Sequence, residues 1–442
     1  MVTISNNRSI AEQIFMAGVE SVIPAGLITN VLILKDNILL IGDLSFSLEL
    51  IDNIYVIGAG KASAIMAAEV EKILGKLVSG GHIAVKHGHS TKLKYIKVTE
   101  AGHPVPDLNS FKATEAILEI AGRAEKDDLV ICLLSGGGSA LLSDFPVGSS
   151  PEEMMALNDL LVNSGATIRE INAVRKHLSI VKGGNLARRI FPATLVSLIL
   201  SDVPGNPLDV IASGPTSPDP TTFQQAITVI EQFDLEESVP AELFKYLRDG
   251  AAGLIQETPK PDDAAFSNTH NLLIGTNSIA LEAAKLKALE FNINPVIIDD
   301  QLQGDVISVA EYIVQTALKF KDDPNEVKPV CLLFGGETTV VMTGNGLGGR
   351  NQHLAMLCAT LLQNQPDITI LSAGTDGTDG PTDATGAVVD SDTLSIAKSK
   401  NVDIQKYIDD FDSYRFFKKV GGQIITGPTM TNVMDIIVVI VV

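Results

Sequence analysis

The sequence predicts an α/β protein of two domains, a larger N-terminal doubly wound, mostly parallel sheet and a second α/β domain, with a cleft between them. Three observations predict it. The chain's 442 residues exceed what one ordinary core organises. Short apolar runs alternate with helical patterns along most of its length. Those runs end in glycine-rich polar loops, and open α/β sheets bind ligands where strands end.

In the first half, "NIYVIGAG" (53–60), "HIAVK" (82–86), "LVICLLSGGG" (129–138) and "ATLVSLILSDV" (193–203) are short, apolar and bounded by turn residues, as buried strands are. Between them, "ASAIMAAEVEKIL", "SFKATEAILEIAGRA" and "PEEMMALNDLLV" carry apolar residues at helical spacing with charges on one face. Strand, loop and helix in repetition predict parallel strands covered on both sides. Near 258–263 the composition turns polar and gains Pro and Asp, which places a domain junction at 241–268 between domains spanning 1–240 and 269–442. Beyond it "NLLIGTNS", "NPVIIDD", "PVCLLFGGETTVVM" and "ITILSAGTDGTDG" form a second strand series with helices at about 278–290, 304–320 and after "GGRNQ". The terminal "IIVVIVV" reads as a buried β-branched strand, far short of the roughly 20 residues of a membrane helix.

Lys and Arg number 33 against 53 Asp and Glu, a net charge of −20. That field repels nucleic acid and anionic membrane, leaving small molecules as the expected partners. The amino end lacks a basic start and apolar stretch, so a cytoplasmic location is expected. Three scattered cysteines, Cys132, Cys331 and Cys358, read as reduced thiols.

Four loops carry chemistry. In "LLSGGGSALL", Ser135, Gly136, Gly137, Gly138 and Ser139 follow a buried strand; three glycines let backbone N–H groups curl round an anion, and a following helix would add its dipole. "SDVPGNPLDVIASGPTSPDP" (201–220) is long, polar and stiffened by prolines, with Asp202 at the strand end turned inward and Asp209 read as a turn or cap residue. In "GGETTVVMTGNGLGGRNQ", Glu337 follows a strand and Arg350 opens a helix, where a cation opposes the dipole unless an anion accompanies it. "SAGTDGTDGPTDATGAVVD" sets Asp376, Asp379 and Asp383 among glycines; these suit Mg²⁺ or, equally, Asx-turns. His87, His89 and His103 lack a further partner for a zinc site.

"YVIGAGKAS" (55–63) is neither a Walker A loop, which needs Ser or Thr where Ala62 stands, nor a dinucleotide fingerprint, whose third glycine is replaced by Ser63. Its Lys61 stands between strand and helix, again a cation where an anion is expected. Phosphoryl transfer needs positioning and charge neutralisation more than covalent help, and Lys61, Arg350 and a divalent cation supply that.

Taken in order, "GAGKAS", "GHPVPD", "SGGGSALL", "INAVRKHLSIVKGGNLA", "SDVPGNPLDVIASGPTSPD", "GGETTVVMTGNGLGGRNQ", "AGTDGTDGPTDATGA" and "TGPTMTNVMDI" resemble the glycerate 2-kinase family of the MOFRL type across nearly the whole chain. The resemblance implies ATP as donor, a divalent cation, usually Mg²⁺, and D-glycerate phosphorylated on its 2-hydroxyl. It implies Lys61 and Arg350 as the catalytic cations, and it leaves a homodimer open. With it, Ser135 to Ser139, Asp202 and Glu337 are expected at the nucleotide, and Asp202, Asp376 and Asp379 at the metal. His353 stands where an acidic residue is common in the family, and Thr385 where alanine is. The rivals are an NAD(P)H-dependent hydroxypyruvate reductase, disfavoured by the missing glycine and the absence of an acid in "GGHIAVKHGHS", and a non-catalytic sugar-acid or nucleotide sensor.

Overall fold

The computed structural model describes residues 4–342, 344–363 and 365–442. The chain divides into two units, one of residues 24–201 and 206–274, here the N-terminal unit, and one of residues 1–23, 202–205 and 275–442, the C-terminal unit.

In the N-terminal unit the helix Pro24–Val31 leads into an antiparallel meander of β1 (Leu32–Lys35), β2 (Ile38–Ile41) and β3 (Leu44–Ser47). Its main sheet contains β4 (Ile54–Ala59), β5 (Val78–Lys86), β6 (Lys97–Ala101), β7 (Leu129–Leu134), β8 (Thr194–Leu200) and β9 (Thr269–Gly275), in the order β6-β5-β4-β7-β8-β9. The pairings from β6 through β8 are parallel. The chain therefore builds outward from β4 to one edge, returns, and builds outward from β7 to the other. That reversal between β4 and β7 is the switch point near which sheets of this kind bind ligands. Helices between the strands start on chain-local signals. Asp107 with Ser110, Ser150 with Glu153, Thr167 with Glu170 and Thr222 with Gln225 each form a reciprocal capping box. Leu157, Val174, Ile230, Leu243 and Leu247 pack the helical layer.

The expected junction 241–268 lies just before the boundary between the units at 274/275. It contains the helix Ala241–Ala251, whose Leu243 and Leu247 join that core, and the turn Ala264–Asn268. Its polar residues serve buried partners instead: Glu257 bonds His177 at 2.8 Å and Thr258 bonds Asp219 at 3.0 Å.

The C-terminal unit is built on β10 (Asn294–Asp305), β11 (Val330–Thr339), β12 (Ile368–Gly374), β13 (Gly386–Asp390), β14 (Gln423–Ile424) and β15 (Asp435–Val441), in the order β10-β11-β15-β12-β13-β14. Only β10 and β11 pair in parallel; the other pairs are antiparallel. The run read as a terminal strand is the fully buried β15, inserted between β11 and β12. The helix Ile4–Ser21 belongs to this unit and packs on β12, β15 and the helix Asn277–Glu290. Arg8 fixes it, reaching both oxygens of the buried Asp390 at 2.6 Å.

Candidate active site

In the N-terminal unit, the loops after β4 and β7 are stitched together at the strand-order reversal. The Lys61 N–H donates to the Gly136 carbonyl at 2.9 Å, and the Ala62 N–H to Ser135 Oγ at 3.0 Å. The Ser63 hydroxyl, fully buried, donates to the Leu133 carbonyl at 3.0 Å. Glycine is required where the loops touch: at Gly60, with φ +144°, a Cβ would lie 2.1 Å from Ser135 Oγ and 2.6 Å from its carbonyl oxygen.

Among the described residues the N–H groups of Gly136 and Gly137 have no hydrogen-bond partner, so the glycine loop presents two consecutive free donors. Such a nest binds anions. The helix expected to reinforce it is a single turn, Gly138–Leu141, and contributes little dipole. Lys61 makes no side-chain hydrogen bond or ion pair among the described residues, and its carbonyl accepts from or faces His89 Nδ1 at 3.1 Å. The His103 ring packs so tightly on Gly137 that a Cβ there would approach it to 2.8 Å. Burial, then the nearby charges of Lys61 and Lys86, hold His103 down at about 4, so it is neutral at pH 7.

Ser139 is tied to the loop 201–220. Its Oγ lies 2.7 Å from Ser213 Oγ, and the Ser213 hydroxyl donates to Asn172 Oδ1 at 3.0 Å. Because the Ser213 proton is committed to Asn172, Ser139 donates within this chain and offers lone pairs outward. Ala212, Ser213 and Gly214 all adopt positive φ, a costly backbone of the kind that gathers at functional sites. Asp209 is no mere turn residue, since its carboxylate pairs with the buried Lys176 at 3.2 Å, beside Asp219 at 3.3 Å. Asp202 is half-buried and falls in the C-terminal unit.

In the C-terminal unit, Arg350 is the first residue of the helix Arg350–Leu361. Its Nε and Nη2 meet the two oxygens of Asp435 at 2.7 and 2.9 Å, and its Nη1 meets Glu337 at 2.8 Å. Burial alone would lower the guanidinium pKa; these carboxylates raise it further above its usual range. The anion that the helix start called for is part of the chain. Asp379 accepts from the N–H groups of Asn351 and Gln352 at 3.0 and 2.8 Å and from Gln352 Nε2 at 3.0 Å. Burial pushes its carboxyl up to about 6.

Asp379 therefore has the role of a helix cap and does not present a free carboxylate to a metal. Asp376 is half-buried, with Oδ1 taking the N–H of Thr378 at 3.0 Å. Arg350, Glu337, Asp376 and Asp379 line one cavity of about 450 Å³. Among the described residues no cluster of three or more His, Cys, Asp or Glu could by itself hold a metal. A phosphate-bound Mg²⁺ needs only one or two carboxylates, a demand that Asp376 fits.

Sequence reasoning missed Asp435, distant in the chain and visible only through strand pairing, and the Ser213–Asn172 support of Ser139. It left the role of His103 open. Cys132, Cys331 and Cys358 are buried and unpaired, with burial pushing each thiol up to about 12, so they are unreactive.

Two family models match the chain: a domain of unknown function (DUF4147) over residues 10–248 and the MOFRL family over 330–435. A D-glycerate 2-kinase of Thermotoga maritima is 43% identical over 89% of this chain and 91% of its own length. A protein of Agrobacterium vitis named a putative hydroxypyruvate reductase is 41% identical over 86% of this chain and 85% of its own. The crystal structure of glycerate kinase from Thermotoga maritima superposes with a TM-score of 0.88 at 39% identity, covering 99% of this chain and 100% of that one.

Proposed function

The chain belongs to the glycerate kinase family of the MOFRL type, and on that premise we propose that it transfers the terminal phosphoryl group of ATP to the 2-hydroxyl of D-glycerate, giving 2-phosphoglycerate and ADP. The observation that carries the chemistry is the pair of free N–H groups at Gly136 and Gly137, adjoining Lys61 at the strand-order reversal.

Each group has a part in this reading. The glycine loop holds phosphate oxygens through backbone donors, which cost no reorganisation as charge spreads over the transferred group. Lys61, with no competing ion pair among the described residues, neutralises charge that appears only in the transition state. Arg350, held rigid by Asp435 and Glu337, orients an anionic group with its remaining donor capacity. His103, neutral at working pH, packs the Gly137 face without adding charge. Asp376, with Glu337 and Asp202 as further carboxylates of the same unit, would hold Mg²⁺, which would offset phosphate charge there. Reduced thiols fit a cytoplasmic enzyme, and no single helix among the described residues is long and apolar enough to cross a membrane.

The strand order and the Agrobacterium vitis relative favour a second reading, a nicotinamide-dependent reductase. Ser63, buried against Leu133 and Ser135, takes the place of the glycine such a site uses for close helix packing, and β5 ends in Lys86 rather than an acid for the ribose. Two assays separate the readings: ADP release dependent on D-glycerate, and NADH oxidation dependent on hydroxypyruvate. The kinase reading expects the first and not the second; the reverse result overturns it.

A further inference from the structure

Four neighbouring parallel strands of the N-terminal sheet, β6, β5, β4 and β7, end at one edge, and each delivers polar groups there. Lys61 follows β4, Lys86 closes β5, His103 stands two places after β6, and the free N–H groups of Gly136 and Gly137 follow β7. Two strands separate β6 from β7, yet the His103 ring reaches Gly137, where its Cδ2 and Nε2 lie 2.8 and 2.9 Å from the position of a Cβ. The segment after β6 therefore crosses the ends of β5 and β4 and sets its imidazole against the glycine loop.

No group among the described residues hydrogen-bonds that ring, and neither ring nitrogen is sealed from solvent. The acids at this edge are committed elsewhere. Loops 60–63, 86–93 and 135–143 contain none. Glu100, near the end of β6, accepts the Gly88 N–H at 2.7 Å, and Asp107 caps the helix Leu108–Ala121 while meeting His87 at 2.9 Å. After β8, Asp209 and Asp219 pair with Lys176 at 3.2 and 3.3 Å. The competing imidazole is His89, whose Nδ1 donates to the Lys61 carbonyl at 3.1 Å, but it is the His103 ring that abuts Gly137.

A hydroxyl that attacks phosphorus must lose its proton. We propose that His103 takes it: as the 2-hydroxyl oxygen of the acid bonds to the terminal phosphorus of ATP, the O–H proton passes to a ring nitrogen of His103. The bond from that phosphorus to the bridging oxygen breaks, its electron pair leaves on ADP, and the imidazolium returns the proton to water. The inference rests on the kinase reading. Burial, then the charges of Lys61, Lys86 and His89, hold the ring at about 4, so it is neutral and able to accept. Phosphate charge on the glycine loop opposes those cations and raises the ring's basicity as the donor binds.

The test is steady-state phosphorylation of D-glycerate by ATP with Mg²⁺ in His103→Gln, His103→Ala and His89→Gln. His103→Gln is expected to lower kcat by about 10² to 10³ while moving either KM by less than about threefold. Added imidazole is expected to restore turnover to His103→Ala in proportion to its free-base concentration. Each of these two variants decides alone. A histidine that only packs Gly137 gives the opposite split, with KM for ATP raised, kcat kept and no response to imidazole, and that result overturns the inference. So does a loss of kcat in His89→Gln as large as in His103→Gln. Wild-type protein that releases no ADP in the presence of D-glycerate overturns the kinase reading itself.

Discussion

The guanidinium of Arg350 lies side by side with the carboxylate of Asp435, Nε to Oδ2 at 2.7 Å and Nη2 to Oδ1 at 2.9 Å. Arg350 is 32% exposed at its side chain and Asp435 only 4%, so the acid is the buried member and the arginine reaches outward from it. Only a planar fork spans both oxygens. Arg350→Lys is expected to lower kcat by about tenfold, and Arg350→Ala by about 10² to 10³. Asp435→Asn frees the fork and is expected to cost ~2 kcal/mol in stability, below the cost of a fully buried pair because Arg350 is partly solvated. Steady-state kinetics and urea denaturation check the two effects.

Lys61 should separate catalysis from stability. With no side-chain hydrogen bond or ion pair to lose among the described residues, Lys61→Ala is expected to keep its melting temperature within the change of an ordinary surface substitution, about 0.5 kcal/mol. Its kcat is expected to fall about 10² to 10³. Turnover near wild type would remove Lys61 from the chemistry.

Gly60 and Gly137 differ in what they protect. Gly60→Ala drives a Cβ into Ser135 at 2.1 Å, where the loops leaving two central strands touch, and is expected to abolish soluble expression. Gly137→Ala, at φ +85° and 2.8 Å from the His103 ring, meets a side chain rather than backbone. That variant is expected to fold, with KM for ATP raised about tenfold or more. Equal damage from both would mean the glycine loop is only structural.

Stability should climb with pH across the range set by two histidines. His103 and His353 are held at about 4 in the folded protein, against about 6.5 in an unfolded chain. Between those values the unfolded chain binds more protons, so stability is lost as pH falls from about 6.5 toward 4. Asp379 acts in the opposite sense: raised to about 6, it contributes stability that is lost as pH rises from about 4 through 6. Urea midpoints at pH 5 and pH 7.5 should therefore differ less in a His103→Gln/His353→Gln variant than in the wild type. An unaltered difference would contradict the buried neutral state of both rings.

What could be read from sequence was local. The strands at Ile54–Ala59 and Leu129–Leu134, their glycine loops, and Lys61 and Arg350 at helix starts all follow from short-range pattern. Non-local pairing hid the rest. Nothing near Arg350 announces Asp435, 85 positions away, and nothing in the first helix announces Asp390, 382 positions from Arg8. A cation at a helix start was rightly read as a demand for negative charge. The sequence alone could not show that Asp379 meets that demand from within, because its loop pattern fits a metal ligand and a helix cap alike. In 241–268, likewise, polar residues that look solvated are the partners of the buried His177 and Asp219.

The most direct test of phosphoryl transfer to the 2-hydroxyl is a ³¹P NMR spectrum of the protein with ATP, Mg²⁺ and D-glycerate, beside a sample without glycerate. The account predicts a glycerate-dependent 2-phosphoglycerate resonance growing with ADP. A 3-phosphoglycerate resonance would contradict the proposed site of transfer, and unchanged ATP would contradict the transfer itself.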